Sequence, residues 1–358
     1  MSFPCLKINI SSIEKNCRII NGRCTSKGIT VVGVLKCVLG DTRIAGVLKK
    51  QGIEIFGDSR LDNLKKLRKH FGSAQELVLL RTPMISEIGQ MLEVCSTSMN
   101  TQAATVKRIS EICAGRNVKH NIIVMVETDD KREGLLPNEV LPFCEFVLKN
   151  CPNINILGLG TNARCISDRK PRPESISILT DLRSEIQSSL PVNIPVISGG
   201  NSSVWDIIEN DTMPRGVNQV RMGEAILFGH ETAGYVPIKG AFRDAFTLEA
   251  EVIEVKMKQS GIYKLIVALG LQDTDRKNIF CKNRHVKIID QSSDHTVMSV
   301  NEETCGKNDT ISELNFPYLK EDDNKDFNTG SILSFGLNYF GLLACMTSPF
   351  VKKIYIAA

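Results

Sequence analysis

The chain has 358 residues, 42% of them apolar and 23% charged, and 44 Lys plus Arg against 40 Asp plus Glu leave a formal charge of +4. That length exceeds one ordinary core and suits a large domain with a smaller companion. Basic residues are scattered rather than striped, which excludes the electrostatic footprint of a nucleic-acid-binding protein.

At the N-terminus, Met1 to Ile10 carries Lys7 and no long apolar core, so no secretory signal is expected. Twelve cysteines are spread along the chain without a CxxC pair, the pattern of reduced thiols in a cytoplasmic protein. Eight strand-like runs then follow: Thr30–Lys36, Ile53–Gly57, Leu77–Arg81, Val94–Asn100, Asn121–Glu127, Asn155–Thr161, Ile194–Ser198 and Asn218–Arg221. Amphipathic stretches lie between them, among them Arg60–Phe71, Gln102–Ala114, Asn138–Lys149 and Glu174–Ser189. Strands alternating with helices predict βαβ units and a parallel sheet, and eight units predict a closed (β/α)8 TIM-type barrel of the α/β class.

The pattern changes after Tyr235. Short alternating runs take over at Phe246–Val255, Tyr263–Leu269, Val286–Ile289, His295–Val300, Ser331–Leu337 and Ile354–Ile356. We therefore expect a barrel over 1–235 and a smaller, mostly antiparallel C-terminal β domain over 236–358, joined near Thr232–Lys239. The acidic, polar segment Glu302–Asn328 reads as an exposed loop. Ser331 to Val351 holds no charge, but Gly336, Asn338, Gly341 and Pro349 favour two buried strands and a turn over a membrane span.

Barrel chemistry sits at the C-terminal ends of the strands. Those ends carry Lys36, Asp58, Arg81, Asn100, Arg132, Asn162, Ser198 and Arg221 in chain order. A lysine there is poorly hydrated, so its pKa should fall and its amine become the nucleophile of a Schiff base. The turn Ser198-Gly199-Gly200-Asn201-Ser202-Ser203 follows the seventh strand and opens a helix, which offers free N–H groups to an anion. Phosphate sites of barrels often follow strands seven and eight, and Arg221-Met222-Gly223 follows the eighth. A Schiff-base lysine and a phosphate cup in one barrel suggest pyridoxal 5'-phosphate. Arg221 facing a pyridine nitrogen could not accept its proton, which favours rapid return of a proton to Cα over transamination.

Val34-Leu35-Lys36, Val126 through Gly134, Gly160-Thr161-Asn162, Asn201-Ser202 and Val220 through Gly223 resemble the alanine racemase superfamily, the fold-type III group of pyridoxal-phosphate enzymes, nearest its ornithine/amino-acid racemase branch. The resemblance implies a racemase interconverting L- and D-amino acids, with ornithine or another basic amino acid as the small-molecule substrate, acting as a head-to-tail homodimer whose barrel mouths are completed by the partner's second domain. It makes Lys36 the cofactor lysine and base on one face. Arg221 would meet the pyridine nitrogen, Arg132 the phenolic oxygen, and Asn162 the ring. Ser202, Met222 and Gly223 would hold the phosphate, with Tyr355 as a further ligand and Ser198 and Asn201 lining the cup.

Two departures stand out. The catalytic Gly-Tyr pair of alanine racemases is Gly270-Leu271 here, and a phosphate-side tyrosine four residues after the lysine is replaced by Gly40. Asp294 and His295, where the family contacts the substrate carboxylate, become candidates for the opposite-face acid/base, with Cys345 and Tyr339 behind them. A fold-type III decarboxylase or a non-catalytic cofactor carrier are the rival readings. The first normally opposes a glutamate to the pyridine nitrogen, and the second resembles the barrel alone. A D-threonine-type aldolase would need a metal cluster, and the five histidines are isolated.

Overall fold

The computed structural model describes residues 2–258, 261–300 and 326–356. It divides into two compact units: one holds Asn16–Lys36 and Gly40–Gly240, and the other the described parts of 1–15, 37–39 and 241–358.

In chain order, strand β1 (Cys5–Asn9) and helix α1 (Ile10–Thr25) precede the barrel. The barrel unit then runs β2 (Thr30–Val34), α2 (Thr42–Lys50), β3 (Ile55–Asp58), α3 (Leu61–Phe71), β4 (Glu76–Leu79), α4 (Ile88–Val94) and β5 (Thr97–Asn100). It continues through α5 (Ala103–Arg116), β6 (His120–Met125), α6 (Pro137–Asn150), β7 (Ile154–Gly160), α7 (Pro173–Ser189), β8 (Val196–Ser198), α8 (Trp205–Glu209), β9 (Gln219–Met222) and α9 (Glu224–Phe228). Strands β2 to β9 close into a parallel barrel, β9 returning to β2 through Val31↔Val220 and Val32↔Arg221. Short strands buried on both faces, such as β5 and β9, suit a sheet covered by helices outside and side chains within. Met99, Ile123 and Met125, with Leu80 and Val196 against them, form one cluster of that apolar filling.

One sequence boundary moves. Val94 ends helix α4 instead of opening the fourth strand, because Ile88, Met91 and Val94 form a helical apolar face and are all buried.

The second unit is an antiparallel sheet. Its strands are β10 (Phe246–Lys258), β11 (Gly261–Val267), β12 (Ile279–Cys281), β13 (Val286–Gln291), β14 (Thr296–Val300) and β15 (Ile332–Leu337), followed by helix α10 (Tyr339–Thr347) and strand β16 (Lys352–Ile356). The order is β12-β15-β10-β11-β14-β13, with β1 paired antiparallel to β10 and parallel to β16. So β1, although it precedes the barrel in sequence, is a strand of this sheet, and its Lys7 Nζ meets Glu249 Oε1 at 2.6 Å.

The uncharged stretch holds one strand and one helix, not two strands. Asn338 caps α10 by accepting from Gly341 N at 2.9 Å, and the helix buries Gly341, Leu342, Cys345 and Met346. The expected loop at Glu302–Asn328 lies almost wholly outside the described residues. No helix among the described residues is long and apolar enough to cross a membrane.

Candidate active site

The parallel register places the ends of β2 through β9 on one rim, and most of the singled-out residues stand there. Lys36 lies two residues beyond β2, whose ladder is extended by Leu35 N donating to Gly57 O at 3.0 Å. Its side chain is exposed in this chain. No hydrogen bond or ion pair among the described residues engages its ammonium, which leaves the amine available for chemistry.

Asp58, at the end of β3, is fully buried. Burial pushes its carboxyl up to about 6, against hydrogen bonds from Arg60 N and Asn63 and the charge of Lys36. Asp58 Oδ1 accepts from Arg60 N at 2.9 Å and from Asn63 Nδ2 at 3.1 Å. Arg81 has a structural assignment: its Nε donates to Ser59 O at 2.8 Å and its Nη2 pairs with Glu87. Asn100 is likewise turned inward, donating to Ser98 Oγ at 2.9 Å, while Ser98 Oγ lies 2.8 Å from His120 Nε2.

Arg221, the third residue of β9, is 4% exposed. Its Nη1 donates to Ser198 Oγ at 2.6 Å, and its Nη2 donates to Thr161 O and to Asn162 Oδ1, the last at 2.6 Å. Burial lowers its pKa to about 10. It has no carboxylate within ion-pair distance, and its Nε–H has no partner among the described residues. The result is a buried cation held by neutral oxygens with one donor left over. Ser198 and Asn162 therefore sit in the site as the acceptors that orient it.

The glycine-rich turn follows β8. Gly200 takes φ +139°, a backbone region open to glycine. The Asn201 side chain is committed to structure: Oδ1 accepts from Ser203 N at 2.9 Å within the turn, and Nδ2 donates to Ala163 O, in the loop after β7, at 2.9 Å. Ser202 Oγ accepts from Gly223 N at 3.4 Å and Ala225 N at 3.1 Å, which joins the turn after β8 to the start of α9. Its own O–H has no acceptor among the described residues. The Met222 side chain is fully buried, so only its backbone faces outward chemistry. At Gly223 an added Cβ would stand 2.9 Å from Val34 Cβ, so the turn approaches β2 closely because that residue is glycine.

Arg132 follows β6 by a loop and is partly exposed, paired to Glu133 Oε1 at 2.7 Å. Cys165, in the loop after β7, is a residue the sequence reading passed over. Its Sγ accepts from Asn201 Nδ2 at 3.5 Å, and the charges of Arg132, Lys36 and Arg221 all act on it. Spacing could not reveal it, since a lone cysteine carries no motif.

Tyr355, Asp294 and His295 belong to the other unit. Tyr355 lies on β16 opposite Ile8 of β1. Asp294 and His295 occupy the turn between β13 and β14, with His295 Nδ1 2.9 Å from Asp294 Oδ1. Hydrogen bonds from His295, Ser293 and Ser292 hold the Asp294 carboxyl below its usual range. The same turn packs on Gly270-Leu271: Leu271 N donates to Ser292 O at 3.0 Å, and a Cβ on Gly270 would sit 2.2 Å from Asp294 N. Cys345 is fully buried in the core and desolvation pushes its thiol up to about 12.

Taken together, one rim presents an uncommitted primary amine, a buried guanidinium with a spare N–H, and a hydroxyl donor beside a glycine-rich turn. Residues 8–231 match the family model described as alanine racemase, N-terminal domain. Over 99% of both chains the sequence is 33% identical to a lysine racemase of Thermotoga maritima. It is 29% identical to an ornithine racemase of Acetoanaerobium sticklandii, covering 98% of this chain and 99% of the relative. Among solved structures, D-threo-3-hydroxyaspartate dehydratase from Delftia sp. HT23 superposes with a TM-score of 0.73 at 14% identity, covering 99% of this chain and 95% of that one. Alanine racemase from E. faecalis superposes with a TM-score of 0.71 at 15% identity, covering 99% and 98%. At those identities the likeness is one of fold.

Proposed function

The chain belongs to the alanine racemase N-terminal-domain family, and from that premise we propose that it is a pyridoxal-phosphate-dependent racemase of basic amino acids such as lysine or ornithine. The observation that carries the reading is Arg221, a buried cation with no carboxylate partner and one unspent N–H among the described residues. A neutral aromatic nitrogen is the acceptor such a donor suits, because arginine gives a hydrogen bond and cannot take a proton.

The remaining donors fit the cofactor as well. Lys36 offers the free amine for its aldehyde. Ser202 offers a free O–H, and the backbone at Met222 and Gly223 lies beside it for the phosphate, with Tyr355 as a further ligand. Asn162 and Ser198 keep Arg221 oriented, Asn201 shapes the turn, and Arg132 is assigned to the phenolic oxygen. Bound there, pyridoxal phosphate supplies an electron sink that acidifies the substrate Cα–H.

Lys36 moves the Cα proton on one face. On the other face we assign Asp294 and His295, which occupy the corner where Gly270-Leu271 stands in place of the family's Gly-Tyr. The proposed assembly is a head-to-tail homodimer in which the partner subunit supplies that corner. Met84, Leu136 and Ile166, each more than half exposed in loops after barrel strands, support a covering partner. Incubating the purified protein with single enantiomers of lysine and ornithine in D2O tests the reading. Inversion with Cα deuterium incorporation is expected; release of carbon dioxide without inversion refutes it.

A further inference from the structure

Asp130 is 2% exposed, and nothing in the assignments above uses it. Its Oδ1 accepts two backbone N–H bonds from the loop after β7, Cys165 N at 2.8 Å and Ile166 N at 3.0 Å. Its Oδ2 is buried with no hydrogen-bond partner among the described residues and lies 3.7 Å from Arg132 Nε. A buried carboxylate oxygen without a donor is costly, and the nearby guanidinium is the charge that offsets it. Arg132's other ionic partner is the partly exposed Glu133, at 2.7 Å through Nη2. A long, half-solvated arginine held only by such a neighbour would sample many rotamers.

We propose that Asp130 is the positioning residue of the barrel mouth, clamping the loop that carries Cys165 with one oxygen and fixing Arg132 with the other. Two further bonds brace the same loops. Thr128 Oγ1 lies 2.6 Å from Thr161 Oγ1, and Asn201 Nδ2 reaches Ala163 O at 2.9 Å. The clamp sets where Cys165 and Arg132 stand relative to each other, and a misplacement of about 1 Å at such a group costs about 100-fold in rate. The role of Arg132 beside the cofactor rests on the proposed function; the clamp on the Cys165 loop does not.

The experiment therefore has two arms on the full chain. In the first, amide hydrogen exchange at Cys165 and Ile166 is followed by mass spectrometry without added cofactor, because the Cys165 side chain is already exposed. Asp130→Ala should speed exchange at both amides about tenfold, the loss of one net hydrogen bond at each, while Asp130→Asn keeps an acceptor for the two N–H groups and exchanges like the native protein. Equal exchange in all three overturns the clamp. In the second arm, the dissociation constant for pyridoxal phosphate is measured for Asp130→Asn, Arg132→Gln and the double variant, with thermal stability recorded for each. Asp130→Asn and Arg132→Gln should each weaken binding, and the double variant should bind no more weakly than Arg132→Gln alone. Additive penalties overturn the coupling to Arg132. A native protein that takes up no pyridoxal phosphate overturns the racemase reading and the Arg132 half with it, and the exchange arm still decides the clamp.

Discussion

Replacing Arg221 with Glu is the most informative perturbation of this site. The guanidinium donates to Ser198 Oγ, Thr161 O and Asn162 Oδ1, all neutral acceptors. A glutamate would set a buried anion against those same oxygens, which costs about 3–5 kcal/mol for an uncompensated buried charge. Folding must therefore be checked by circular dichroism and thermal unfolding, with Arg221→Gln as the gentler companion. In Gln the neutral amide retains some donors, and an acceptor left unpaired costs about 1–3 kcal/mol. Loss of one charge-assisted hydrogen bond, about 1.5–3 kcal/mol, corresponds to about 10- to 150-fold in rate. The assay follows racemisation and transamination in parallel on folded, cofactor-saturated protein. A carboxylate next to the ring nitrogen would hold a proton there, so Arg221→Glu should lower racemisation and raise the share of transamination. Arg221→Gln should lower racemisation with a smaller change in that share. An unchanged ratio in a folded Glu variant would show that Arg221 does not tune the cofactor, and the reasoning from its spare N–H fails.

Borohydride treatment of the cofactor-loaded protein should fix the cofactor on Lys36; a peptide map with the label elsewhere removes the lysine assignment. His295→Ala should slow proton exchange by about 100- to 10,000-fold for one enantiomer more than for the other, as loss of a general acid/base requires, and a symmetric, small effect would place the second proton carrier elsewhere. If the partner's second domain completes the site, activity should fall on dilution together with dimer dissociation, whereas a fully active monomer by light scattering refutes the shared mouth. Asp58 has its pKa raised from 3.8 to about 6, so its contribution to stability is present below pH 3.8 and is lost as pH rises through about 6. Between pH 4.5 and 7.5 that loss is on the order of 2 kcal/mol; urea unfolding at those two values should show it in the native chain and not in Asp58→Asn, and identical pH dependence in both would exclude it.

Local pattern was enough to read the barrel. Runs such as Asn121–Glu127 and Asn155–Thr161, alternating with amphipathic stretches, carry their period in neighbouring residues, and a parallel strand buried on both faces must be apolar throughout. Lys36, Ser202 and Arg221 could be placed at strand ends and a glycine turn for the same reason, because those are local features. Pairing over long separations was not. Strand β1 joins β10 and β16, more than 230 residues away, and no local period encodes a partner at that distance. The choice between strand and helix at Tyr339–Thr347 fell to burial and the Asn338 cap, since an apolar run satisfies either period. Only the folded chain shows that Arg81 and Asn201 are committed to structure, that Cys345 is core, and that Lys36 stands exposed. The role of Asp130 is of the same kind: its value lies in two backbone N–H groups 35 and 36 residues further along the chain, and hydrogen-bond partners are set by the approach of loops in space.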